Sequence, residues 1–245
     1  MYADSKMTNY QWLKLATDFN DKRWQVKVGH VIDIDGKKHT FTTDGYCAHI
    51  IPGEGLVYKG SVRFDNSDFS IEPNESAEWL KRNDVFSRVL SMRYKTPIEL
   101  NIRTADIWRV VEYANLKQPN TLPVVVSIIV RPNGDTFASV YGDDLFFLTD
   151  NMKGHPLGGR NFTVRLSPDF LKRAMRGFND YEHIQLKMNA VDVLAPVMFG
   201  DKNGRRAIIM PSVKTRINIE PLVKMIGGYG MCSASLIGLK GAVDS

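Results

Sequence analysis

The sequence predicts an α+β fold made by repeating one unit, a short amphipathic helix followed by a three-stranded antiparallel meander. Three observations carry this. The apolar spacing passes from helical to strand period in the same order in two separate stretches. The dipeptides Asp35-Gly36 and Asn133-Gly134 mark hairpin turns at matching places in them. A third stretch, after Ser167, repeats the order again.

The first unit runs from Asn9 to Pro52. Trp12, Leu13, Ala16 and Phe19 are spaced to share one face of a helix. Asp18, Asp21, Lys22 and Arg23 fall near its end. A strand from Val26 to Ile34 leads to Asp35-Gly36, a pair that favours the positive φ angles of a two-residue hairpin. A second strand, His39 to Thr42, and the turn Asp44-Gly45 precede a third strand, Tyr46 to Ile51. His39 and His49 are candidates to face each other across the hairpin, with a structural role the preferred reading instead.

The second unit runs from Thr104 to Asp150. Ile107, Trp108, Val111 and Tyr113 mark its helix, and strands follow at Val124 to Arg131, Thr136 to Val140 and Leu145 to Leu148. The turns between them are a two-residue Asn133-Gly134 and Gly142-Asp143-Asp144. In the third unit Ser167 caps a helix that carries Pro168 in its first turn, runs to Arg176 and stops at Gly177. Its strands are Glu182 to Met188, Val193 to Phe199 and, after a turn at Asp201 to Gly204, Arg206 to Met210. Between the first two units, Val57 to Tyr94 holds a strand at Gly60 to Phe64 and a helix near Ser76 to Leu90, room for a degenerate fourth unit. The expected organisation is a divergent domain over 1–93, a more regular one over 94–215 and a Gly-rich tail over 216–245.

Composition narrows the function classes. The 245 residues are 43% apolar and 24% charged, ordinary for a globular protein with a substantial core. The net charge of +5 permits contact with nucleic acid or an anionic surface without establishing either. Cys47 and Cys232 form no close pair, which argues against structural zinc and suits a reducing compartment. No apolar run approaches the ~18 residues needed to span a bilayer, and no apolar signal core opens the chain. A soluble, cytoplasmic protein is expected.

Motifs of catalysis are scarce. Tyr141-Gly142-Asp143-Asp144 places two adjacent carboxylates on a turn between apolar strands, a pattern that could hold Mg²⁺ for nucleotidyl transfer. No further acidic partner or nucleotide-binding motif accompanies it, and the repeat explains it as the counterpart of Asp44-Gly45. The five histidines form no metal-binding spacing, and there is no phosphate-binding loop or nucleophile elbow. The stretch from Lys153 to Arg160 is Gly-rich and basic and reads first as a connecting loop, second as a phosphate contact. No enzyme activity, metal or cofactor is expected.

Several of these stretches resemble DNA sliding clamps. Phe41-Thr42-Thr43-Asp44-Gly45-Tyr46 looks like the ATDG hairpin of bacterial β clamps, and Phe162 to Ser212 is similar to the last half-domain of such a clamp, with FTVRLSPDFLKRAM at its start and AIIMPS at its close. The resemblance is best over Ile98 to Val213. Bacterial clamps have three domains and this chain has room for two, which is similar to proliferating cell nuclear antigen and to phage clamps that close as trimers; a compact viral or phage member fits this pattern. The resemblance implies a homo-oligomeric ring that encircles duplex DNA without reading its sequence and tethers a DNA polymerase, with a clamp loader as a further partner. Helices would line the hole and meet phosphates through Lys14, Lys22, Arg23, Arg103, Arg109, Lys117, Lys172, Arg173 and Arg176. Lys172, Arg173 and Arg176 stand out as three charges on one helix. Met210 and Pro211 match the position beside the closing strand where partner peptides dock. An interaction or assembly protein on the same scaffold is the alternative.

Overall fold

The computed structural model describes residues 7–53, 61–63, 94, 96–116, 124–140, 144–149, 152–154, 156–178 and 183–212. The first unit forms α1 (Asn9–Lys14), β1 (Val28–Ile34), β2 (Lys37–Thr43) and β3 (Cys47–Pro52), with β4 (Ser61–Arg63) antiparallel to β1. The second forms β5 (Pro97–Arg103), α2 (Thr104–Leu116), β6 (Val126–Val130), β7 (Thr136–Ser139), β8 (Phe146–Thr149) and the short β9 (Met152–Lys153). The third forms β10 (Phe162–Leu166), α3 (Pro168–Met175), β11 (His183–Asn189), β12 (Val197–Gly200) and β13 (Arg206–Ile209). The expected helix at Ser76 to Leu90 and the tail after Ser212 lie outside the described residues.

The second and third units exchange their entry strands. β5 opens the second unit yet pairs with β11 of the third, and β10 opens the third yet pairs with β6 of the second. Two sheets of one design result, β5-β11-β12-β13 and β10-β6-β7-β8. The first unit repeats the design as β4-β1-β2-β3. Antiparallel pairing of β3 with β13 fuses two of the three into a nine-stranded sheet that runs from β4 to β9, while β10-β6-β7-β8 stands as a separate four-stranded sheet.

One large core joins all three units. Leu13 and Ile51 from the first, Ile107, Val111 and Ile128 from the second, and Leu171, Leu186 and Phe199 from the third belong to a single buried cluster. α2 packs against α3, so the two helices share a layer over the sheets. Trp12 is the principal link between α1 and the third unit. Its side chain is fully buried, its indole N–H donates to the Ala174 carbonyl at 3.0 Å, and its ring stacks on His49 at 4.4 Å and meets Phe178 edge-on at 5.6 Å. Gly177 is required there, because a Cβ would lie 2.2 Å from the Trp12 ring. Arg205 closes the same corner, its guanidinium 5.8 Å from the Trp12 ring centroid and donating to the Gly177 carbonyl.

β3 is buried on both faces, which accounts for its unbroken run Cys47 to Ile51. Cys47 and Ile51 enter the main core; Ala48 and Ile50 join Ile32, Ile34, Phe41, Met198 and Ile208 in a second cluster against which Tyr94 packs.

Several sequence expectations shift at their edges. Asp35 and Gly36 both adopt positive φ (54° and 74°), as a two-residue hairpin requires, and Ile34 pairs with Lys37. The turn at Asn133-Gly134 is a three-residue loop instead: the Arg131 N–H donates to the Asp135 carbonyl, with Gly134 at φ 98° in its last position. Asp201 to Arg205 repeats that loop, with Gly204 at φ 87°. The strand expected from Val193 begins only at Val197, because Asp192 accepts from the Leu194 N–H (2.9 Å) and folds the intervening residues into a turn. α1 ends at Lys14, earlier than Phe19. Ser167 occupies the N-cap of α3 without a side-chain capping bond. His39 lies opposite Pro52 and His49 opposite Thr42, so the two histidines do not face each other.

His30 and His49 are fully buried, and burial lowers both imidazole pKa values to about 4. Each is neutral in the fold, whereas in the unfolded chain each takes up a proton below about pH 6.5. The unfolded state therefore binds more protons between about pH 4 and 6.5, and stability is complete above that window and falls as pH drops through it. Denaturant unfolding at pH 7, 6 and 5 should show a loss of at most about 1.4 kcal/mol per pH unit for each histidine. His49→Gln should flatten the dependence; an unchanged profile would place the linkage elsewhere.

Candidate functional site

The helices and their flanks present most of the cations singled out in the sequence, but not in one state. Lys14 is exposed in the last turn of α1, its ammonium 5.7 Å from the Phe19 ring centroid. Lys22 is exposed on the loop that follows. Arg23 is held by Asp21 through two bonds of 2.7 and 3.0 Å, and this hydrogen-bonded pairing pulls the Asp21 carboxyl down to about 2. Arg103, the last residue of β5 and directly before α2, makes a bidentate contact with Asp106 at 2.9 and 3.2 Å, and Arg109 approaches the same carboxylate at 3.5 Å. Both arginines stay largely exposed while Asp106 is buried, so one carboxylate orients two guanidinium groups at the beginning of α2. Lys117 lies outside the described residues.

The α3 cluster divides. Lys172 and Arg176 form no ion pair among the described residues, and Arg176 is exposed at the C-cap. A cation there is also favoured by the helix dipole. Arg173 turns the other way. Its guanidinium meets Asp44 at 3.1 Å and lies 5.5 Å from the Phe170 ring centroid. Asp44 stands in the turn between β2 and β3, nearly buried, and its Oδ1 accepts from the Tyr46 and Cys47 N–H groups at 2.8 and 2.7 Å. One carboxylate thus closes a local turn and ties the first unit to the third. Nothing local in the sequence announces this, since the two residues are 129 positions apart.

Met210 and Pro211 continue the β3–β13 seam. The Met210 N–H donates to the Tyr46 carbonyl and the Ser212 N–H to the Arg165 carbonyl, both at 2.8 Å. Neither Met210 nor Pro211 is buried in the core. Beside them Tyr46 is 63% exposed, and its ring stacks on Phe170 at 6.1 Å. Tyr46, Phe170 and Arg173 therefore place an aromatic and cationic surface next to the closing strand. Nothing in the sequence signals the contribution of Tyr46 and Phe170, which stand there at the start of a strand and within a helix far apart in the chain.

The acidic turn of the second unit performs the work its counterpart does in the first. Asp144 Oδ1 accepts from the Ser139 hydroxyl at 3.0 Å and the Val140 N–H at 2.9 Å, while Tyr141 to Asp143 lie outside the described residues. Among the described residues there is no cluster of three or more His, Cys, Asp or Glu able to hold a metal ion. No helix among them is long and apolar enough to cross a membrane.

Comparison with solved structures identifies this architecture. The chain superposes on a DNA polymerase III β subunit from Borrelia burgdorferi with a TM-score of 0.57 at 11% identity, covering 84% of this chain and 61% of that one. It matches the DNA polymerase sliding clamp of Bacillus subtilis with a TM-score of 0.55 at 10% identity, covering 84% and 61%. A putative DNA polymerase III β subunit from Eubacterium rectale gives 0.54 at 13% identity, covering 83% and 63%. No protein-family model and no curated protein matches the sequence. The chain has the sliding-clamp fold, and it spans less than two thirds of the length of these solved clamps.

The Asp44 network yields a contrast between variants. Asp44→Ala removes the acceptor for two N–H groups and an ion pair together and should cost about 2–3 kcal/mol of unfolding free energy. Arg173→Ala leaves the turn its acceptor and, from a partly exposed pair, should cost about 1 kcal/mol. Chemical denaturation of both, beside Lys172→Ala as a neutral control, checks the order.

Proposed function

We propose that this chain is a sliding-clamp-type processivity factor, a non-catalytic protein whose copies close around duplex DNA and tether a DNA polymerase. The observation that carries the reading is the sliding-clamp fold itself: three sheets of one design, with α2 and α3 packed side by side as one layer. On this reading the helix layer faces the phosphates and the sheets form the outside. Binding is to the backbone alone, so it is independent of sequence and weakened by salt.

The proposed phosphate contacts are Lys14, Lys22, Arg103, Arg109, Lys117, Lys172 and Arg176. Arg23 and Arg173 contribute less, because Asp21 and Asp44 already hold them. The polymerase docks at Met210 and Pro211, with Tyr46 and Phe170 completing the surface, and a clamp loader opens the ring. Two clamp-like domains, 1–93 and 94–215, would give a ring of three copies, the compact arrangement of phage clamps, acting in the cytoplasm of the cell whose DNA is copied.

A second reading, an interaction protein that keeps the scaffold without circling DNA, draws on the pairing of four of the nine proposed cations with carboxylates. The two readings part on salt dependence. For duplex DNA of arbitrary sequence, the double variant Lys172→Ala/Arg176→Ala should lower the slope of log affinity against log salt by about 2 in magnitude, about one per lost phosphate contact. Its melting temperature should match that of the parent chain. An unchanged slope with an intact fold would remove α3 from the DNA interface and favour the second reading.

A further inference from the structure

We infer that Asp106 is an attenuator of the DNA-facing layer, a carboxylate that restrains two arginines so that they attract phosphate without gripping it. The inference rests on the reading of this chain as a protein that moves along duplex DNA, and adds to it a residue of the opposite charge.

The sequence sets Arg103, Asp106 and Arg109 three positions apart, a spacing that brings side chains together along a helix. In the structure the three converge. Arg103 donates through Nε to Asp106 Oδ2 at 2.9 Å and through Nη2 to Oδ1 at 3.2 Å, and Arg109 Nη1 lies 3.5 Å from the same Oδ1. The Asp106 side chain is 8% exposed, those of Arg103 and Arg109 65% and 71%. The acid therefore lies beneath and the two bases lie on top. Asp106 also stands in the first turn of α2, where the helix dipole favours a negative charge, so the carboxylate has support there apart from the arginines.

This geometry fixes what the arginines offer. A guanidinium carries five N–H donors in a planar fork. Arg103 turns its Nε side to the carboxylate, which leaves the Nη1–Nη2 edge pointing away from it. Arg109 is held by one contact at the limit of hydrogen-bond length. Two positive charges and one negative leave the trio with one, where two unrestrained arginines would present two. An arginine that turns fully to a phosphate has to give up Asp106 first. Charge-assisted, bidentate arginine–phosphate contacts are strong, and contacts of that kind hold a protein in one register on the duplex. Asp106 weakens them without removing the attraction.

The test uses the full chain. Affinity for duplex DNA of arbitrary sequence is measured against salt for the parent, Asp106→Asn and the double variant Asp106→Asn/Arg109→Gln, with melting curves of each. Removing the carboxylate should tighten binding several-fold and steepen the slope of log affinity against log salt by about one, the equivalent of one further phosphate contact. Adding Arg109→Gln should return the slope to that of the parent, because the charge of the trio is again one. A carboxylate that serves only the fold would change the melt and leave the slope alone. A slope unchanged or shallower in Asp106→Asn, or one that stays steep in the double variant, overturns the inference and leaves the clamp reading in place. A parent chain with no salt-dependent affinity for duplex DNA overturns both. If Asp106→Asn fails to fold, Asp106→Ser, which keeps a hydrogen-bonding side chain in the first turn, is read by the same criteria.

Discussion

The antiparallel pairing of β3 with β13 is the interaction on which the rest of the molecule depends. Each meander alone would leave a third strand with a row of unpaired N–H and C=O groups, and such an edge is costly to bury and prone to promiscuous pairing when exposed. Joining two edges removes both. It also places Tyr46 beside Met210, brings Asp44 within reach of Arg173, and lets Trp12 of α1 stack on β3 while bonding to α3. The proposed docking surface is therefore a product of the seam, because it draws its residues from the two units that the seam joins.

Much of this architecture was legible in the sequence, and the parts that were not share a cause. Helix faces and meanders are local, so the apolar spacing around Trp12 and Val111 and the turn pairs Asp35-Gly36 and Asn133-Gly134 showed them directly. Exchange of β5 and β10 between units is not local. β5 pairs with a strand whose partner residues lie eighty or more positions further along the chain, and its alternation Ile98, Leu100, Ile102 reads equally well as an isolated strand of any sheet. Boundaries moved where side chains competed with backbone pairing, as at Asp192, whose carboxylate folds the residues before β12 into a turn. Of the proposed site, the cations on α2 and α3 were visible as a pattern, while their division into tethered and unpaired groups needed the fold: Arg173 looked equivalent to Lys172 and Arg176 until Asp44 stood opposite it.

That division shapes the electrostatics of the proposed function. A protein that moves along DNA needs enough positive charge to stay close to phosphates and too little directional bonding to stop at any of them. Exposed arginines oriented by a buried carboxylate, as Arg103 and Arg109 are by Asp106, present charge on a fixed arm. Lys22 and Arg176 present it on side chains exposed to solvent. The carboxylates of Asp44 and Asp144 accept from backbone N–H groups, which gives Asp144 of the Tyr-Gly-Asp-Asp motif an ordinary structural reason.

Topological linkage to DNA tests the central claim most directly. The protein is equilibrated with a nicked circular duplex in the presence of its loading machinery, the salt is raised until backbone contacts are screened, and retention is measured before and after a single cut linearises the circle. A clamp stays on the circle and is lost on cutting, because only the continuous ring of DNA holds it. Equal retention on circular and linear DNA, or loss from both at the same salt, would contradict encirclement and leave the sliding-clamp fold serving another purpose.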